Sequence, residues 1–185
     1  MLINKTLIMS DVENAGVRSE ENIATQSVGI RDPSMAEQIS YAKLSIVLVE
    51  KERRAELYRQ KLSDADKHQI DQLNKLYNEG KFQYPRELFE DAEENNKVVQ
   101  IDQIDGNDEL DATASSVTTH LAILPDGSLL KRVYSLGGPN DNDVDFYFMD
   151  QEKESAKLET INMLKKFIDG NPDSGQARAM LDKLV

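Results

Sequence analysis

The chain reads as an α+β protein: an N-terminal helical pair, a three- to four-stranded antiparallel β-meander, and a C-terminal helical pair packed on the sheet. Three observations carry this. A capped run with apolar residues at helical spacing begins at Ser34. A Pro125-Asp126-Gly127 turn joins two alternating runs. Helical spacing returns after Asp150 and holds to the end of the chain.

Residues 1–33 mix Ser, Thr, Asn and Glu with scattered Ile and Val, and no period holds. They are expected to be mostly irregular, with a short docked element at Leu2 to Met9. Residues 34–80 form the first helical segment. Ser34 is a good N-cap and Glu37 completes a capping-box spacing. Met35, Ile39, Ala42, Ile46 and Val49 make one stripe, widened by Val47 and Leu48. A helix apolar nearly all round belongs in a core or an oligomer interface, so residues 35–49 also suit a homodimer contact. Glu50 and Arg54 stand at the favourable i,i+4 spacing. Ser63 offers a second cap, Ile70, Leu73 and Tyr77 resume a stripe, and Gly80 stops it. The segment is therefore a helical hairpin or one long kinked helix. A coiled-coil seam is disfavoured because Arg53 and Glu56 would fall on it.

Residues 81–115 read as an acidic connector with a short helix from Pro85, then an edge strand through Val99, Ile101 and Gln103. Residues 116–185 hold the meander and the last helices. With Leu124 opposite Ser128, Ile123–Leu129, Leu121–Lys131 and Thr119–Val133 face one way. Ala122–Leu130, His120–Arg132 and Thr118–Tyr134 face the other. The first set is more apolar and is expected inward, leaving the second face wet. Val144, Phe146 and Phe148 supply a third strand. Asp150 is the expected cap of a helix bearing Leu158, Ile161, Leu164, Phe167 and Ile168; a last helix, 174–184, presents Ala177, Met180, Leu181 and Leu184. The stretch "NPDSGQARAMLDKL" resembles the joint of a tetratricopeptide-type helical pair. It covers less than one repeat, and no period of about 34 residues recurs upstream.

Composition excludes several chemistries. The chain has 185 residues, no cysteine and two histidines, His68 and His120. Disulfide frameworks, thiolate metal sites, iron–sulfur clusters and cysteine nucleophiles are ruled out, as is a multi-histidine metal site. The longest apolar run, Leu44 to Val49, is too short to span a membrane. The N-terminal "MLINKTLIMS" is too broken for a secretory leader, so a cytoplasmic location is expected. The net charge of −12 is uneven: residues 81–115 hold 3 bases and 10 acids, which accounts for −7 of it. No segment has the basic excess that nucleic-acid binding needs. No cofactor motif is present: "LGGPND" lacks the Gly-Lys-Ser/Thr of a phosphate loop.

The stretch "PNDNDVDFYFMDQE" comes nearest to chemistry. Asp141, Asp143, Asp145 and Glu152 fall at positions 1, 3, 5 and 12 of a calcium-loop pattern. Position 6 is Phe146 rather than Gly, and a strand rather than a helix leads in, so a polar turn feeding a strand is the better reading. His120 beside Arg132 should resist protonation. As a general base it would need Asp145 or Asp143 as its orienter. The plainer reading is a half-exposed strand histidine, with His68 solvated on an acidic helix start.

The expected function is therefore a non-catalytic protein-binding factor of accessory, regulatory, chaperone or immunity type. Its partner is another protein with a basic surface, met by Glu90, Asp91, Glu93, Glu94, Asp108, Glu109 and Asp111. One alternative is a hydrolytic or metal-dependent enzyme using His120 and the Asp141–Asp145 cluster. Another is an exported effector with an uncleaved N-terminal segment.

Overall fold

A computed structural model of the chain describes residues 32–104, 116–136 and 144–185. These form five helices and four strands in the order α1 (Met35–Leu57), α2 (Asp64–Asn78), α3 (Pro85–Glu94), β1 (Val98–Ile104), β2 (Ser116–Ile123), β3 (Leu129–Leu136), β4 (Val144–Phe148), α4 (Glu154–Gly170) and α5 (Gly175–Asp182). The sheet order β1-β2-β3-β4 follows the chain and every pairing is antiparallel. The fold is α+β, with helices flanking the meander on both sides in sequence. The expected element at Leu2 to Met9 lies outside the described residues.

Local signals set the first helices. The Glu37 N–H donates to Ser34 Oγ at 3.3 Å, and the Ser34 N–H donates to the Glu37 carboxylate at 2.7 Å. The 34–80 segment is two helices, not one: α1 ends at Leu57, Arg59 takes φ 53°, and Ser63 caps α2. Gly80, at φ 68°, follows the α2 C-cap. The two helices close over Leu48, Leu73 and Phe82.

The buried stripe of α1 differs from the expected one. Ile39, Ala42, Ser45 and Leu48 are buried, whereas Met35 and Val49 are 40% and 59% exposed. Ser45 can go inside because its hydroxyl donates to the Ala42 carbonyl at 2.7 Å. A small polar residue that satisfies itself on its own helix thus takes the place an apolar one was expected to fill.

The β2–β3 hairpin has the expected register from Ile123–Leu129 to Thr118–Tyr134. Gly127 adopts φ 87°, and the Leu124 N–H donates to the Ser128 carbonyl at 2.9 Å. A shift between Gln100 and Asp102 leaves Ile101 as an extra residue on the edge strand β1.

The expected wet face is closed at one end and only half-exposed along the rest. Ala122, Leu130 and Phe148 lie on it and are 0–1% exposed, in one core with Ile39, Ala42, Leu88, Phe89 and Ala92. Leu121, Leu129, Val99 and Ile101 face the other way, in a second core with Met149, Leu164, Ala177 and Met180. So α1 and α3 cover one face of the sheet, and α4 and α5 cover the other. At roughly 25 cal/mol per Å² of apolar surface removed from water, each cover contributes substantially to the fold.

Two C-terminal details also differ. Lys153, not Asp150, is the N-cap of α4; the Asp150 carboxylate instead pairs with Lys43 Nζ at 2.6 Å. The turn after β4 delays the helix. Leu158 is 57% exposed, while Thr160 is 1% exposed and donates to the Ala156 carbonyl at 3.0 Å. This repeats the Ser45 pattern. Ile161 and Leu164 are buried as expected, and α5 buries Ala177 and Met180 behind its Ser174 cap. Among the described residues, no helix is long and apolar enough to cross a membrane.

Candidate functional site

The acid-rich segment does not remain a simple connector over its described part. Its helix, α3, has 10 residues and starts at Pro85, whose missing N–H costs nothing in a first turn. The Glu87 carboxylate accepts from the Tyr84 N–H at 2.9 Å and closes that turn. Leu88, Phe89 and Ala92 are buried against the sheet. Helical geometry then places Glu90, Asp91, Glu93 and Glu94 on the remaining, outward arc, and all four are exposed. Asp91 accepts from Gln83 at 2.5 Å. Glu93 meets the Arg132 guanidinium at 3.3 and 3.5 Å. Glu90 and Glu94 have no ion-pair partner among the described residues. Asp108, Glu109 and Asp111 lie outside the described residues, so four of the seven expected contact acids are placed, and those four share one helix.

Beneath α3 lies a polar and aromatic cluster. The Phe89 ring centroid is 6.4 Å from that of His120, nearly edge-on, and 5.9 Å from that of Phe146. The Arg132 guanidinium lies 4.3 Å from the Phe89 centroid, a cation–π contact in a partly dry setting. His120 Nδ1 and Arg132 Nε are both closed to water and have no hydrogen-bond partner among the described residues. Burial, then the Arg132 charge, lower the His120 pKa below the ordinary imidazole value, against a smaller opposing pull from Glu93. Beside the cluster, Arg86, Glu90, Arg132, Tyr134, Val144 and Phe146 line an open cleft of about 240 Å³.

Of the residues of the enzyme alternative, His120 and Asp145 are described, and they are not brought together. His120 pairs with Arg132, which pairs with Phe146. Asp145 pairs with Val133 and therefore points to the opposite face of the sheet from His120. It cannot orient the imidazole as expected. Asp145 is exposed, and its charge is one of the influences, after burial, that raise the pKa of Tyr147. Asp141 and Asp143 lie outside the described residues. Glu152, the last position of the calcium pattern, forms an ion pair with Lys131. His68 is exposed on α2, with Gln72 at 3.0 Å. Within residues 35–49, Ile39, Ala42 and Leu48 belong to the chain's own cores; Met35, Val47 and Val49 are the large apolar side chains left outward.

The chain matches no family model, no curated protein and no solved structure. The site therefore stands on its geometry alone. Sequence reasoning found the acids of α3 but missed what lies under them. The hairpin register did signal that His120 and Arg132 are neighbours. Nothing local signalled that Phe89 and Glu93 would close over both.

Proposed function

We propose that the chain is a non-catalytic protein-binding factor, of accessory, regulatory, chaperone or immunity type, acting in the cytoplasm on a partner with a basic surface. The observation that carries this reading is the outward arc of α3. Four exposed carboxylates stand on one short helix, and the buried Leu88, Phe89 and Ala92 of that helix hold it to the sheet. A basic partner would meet a fixed charge pattern, which favours fast and oriented encounter. Glu90 also borders the cleft floored by Val144 and Phe146, where an apolar side chain of the partner could anchor.

The test begins with capture of a basic partner from native lysate, identified by mass spectrometry. Association is then measured for wild type and for the triple variant Glu90→Gln, Asp91→Asn, Glu94→Gln, at low salt and near 0.1 M, where the Debye length is about 10 Å. The expected result is a slower on-rate at low salt and a flatter salt dependence, with an unchanged circular dichroism spectrum. Identical kinetics in the two proteins would remove α3 as the contact.

A further inference from the structure

We propose that His120 is a proton-sensitive latch for α3: protonating its ring loosens the docking of α3 on the sheet. His120 sits mid-strand in β2, between Gln100 of β1 and Arg132 of β3, and under Phe89 of α3. Its Nδ1 is closed to water and meets no hydrogen-bond partner among the described residues. A neutral imidazole tolerates one unpaired nitrogen at modest cost. An imidazolium carries an N–H on both nitrogens, so protonation places a charged donor where no acceptor stands.

The surroundings give that charge no local answer. From β3, the Arg132 guanidinium repels it. From β1, Gln100 is neutral, and its amide donates to Gln103 at 3.0 Å. From α3, Phe89 already offers a ring face to Arg132. Among the described residues, the one acid acting on His120 is Glu93, and it is held by Arg132 at 3.3 and 3.5 Å. Glu93 belongs to α3 itself. Answering the imidazolium therefore requires α3 to shift or the Glu93–Arg132 contact to break. Both disturb the seat of Phe89, which is 0% exposed and anchors the helix. Loosening α3 also dissolves the fixed arrangement of Glu90, Asp91, Glu93 and Glu94. That consequence for partner binding rests on the reading of the acidic arc given above; the latch itself rests only on the packing.

The test uses the full chain without any partner, so failure of the partner reading leaves it intact. Hydrogen exchange at α3 and α4 amides is followed from pH 7.5 to 5, corrected for intrinsic rates, alongside NMR titration of both histidine rings. Below the ordinary imidazole range the α3 opening constant should rise by up to about tenfold per pH unit, the limit for one linked proton. Exchange in α4 should rise no more than the global unfolding constant measured by urea at each pH, α3 should open more readily than that global limit, and His120→Gln should abolish the α3 rise. A rise that persists in His120→Gln, or a His120 midpoint at or above the ordinary imidazole value of about 6.5, overturns the latch. Should His120→Gln fail to fold, Arg132→Met decides instead. Removing the neighbouring cation should raise the His120 midpoint and narrow the range over which α3 loosens; an unmoved midpoint overturns the proposal.

Discussion

Lys131 and Glu152 form an ion pair on the sheet face covered by α4, with their side chains only 12% and 6% exposed. Lys131 Nζ also lies 3.5 Å from Thr160 Oγ1 and 5.2 Å from the Tyr147 ring centroid. Lys131→Met would leave the Glu152 carboxylate buried without its counter-charge, at a cost of about 3–5 kcal/mol. The double variant Lys131→Met, Glu152→Leu removes both charges and should recover most of that loss. Urea denaturation of the three proteins measures both effects. A double variant as unstable as the single one would mean that the pair itself stabilises the fold.

The turn glycine is a second sensitive point. Gly127 has φ 87°, and a Cβ there would stand 2.9 Å from Lys183 Nζ, which donates to the Gly127 carbonyl at 2.9 Å. The lysine end can move aside, so backbone strain sets most of the cost. Gly127→Ala should destabilise by about 1–2 kcal/mol, and Gly127→Asn by less, because Asn visits this region more readily. Equal thermal midpoints for wild type and Gly127→Ala would contradict the turn geometry.

Global stability should depend on pH through His120. Burial first, and Arg132 second, lower its folded-state pKa. Above about pH 6.5, the unfolded-state value, the ring is neutral in both states and this contribution is fully present. As pH falls below that value the unfolded chain takes up a proton that the folded chain resists, and stability is lost until the folded pKa is passed. His120→Gln should flatten this part of a plot of urea midpoint against pH between 8 and 5. A wild-type plot already flat across that range would contradict the partial burial of the ring beside Arg132.

Calcium should not bind at Asp141–Glu152. Lys131 already holds the Glu152 carboxylate that the loop pattern would need. Titration calorimetry at micromolar to millimolar calcium should give no saturable heat. A one-site isotherm that disappears in Asp143→Asn is the result that would refute this.

Much of the fold was legible because its rules are local. Ser34, Ser63 and Pro85 mark helix starts through bonds made within one turn. The Pro125-Asp126-Gly127 turn pins the β2–β3 register, and the two-residue strand period then places every side chain of the hairpin on a face. The acids of α3 were legible too, since Leu88, Phe89 and Ala92 name its buried side and leave the rest outward.

Only the tertiary structure decided what those faces meet. Ala122, His120 and Arg132 read as half of a wet face until α1 and α3, from distant sequence, covered them. Glu93 and Arg132 stand 39 residues apart, and no local period connects them. Ser45 and Thr160 went inside while Val49 and Leu158 stayed out. A hydroxyl bonded to its own helix can be buried at little cost, so shape at the contact outweighed the identity of single residues. Periodicity and capping act over a few residues. Which surfaces are removed from water depends on how distant segments pack, and in this chain that packing set both cores, the Lys131–Glu152 pair and the place of His120 beneath α3.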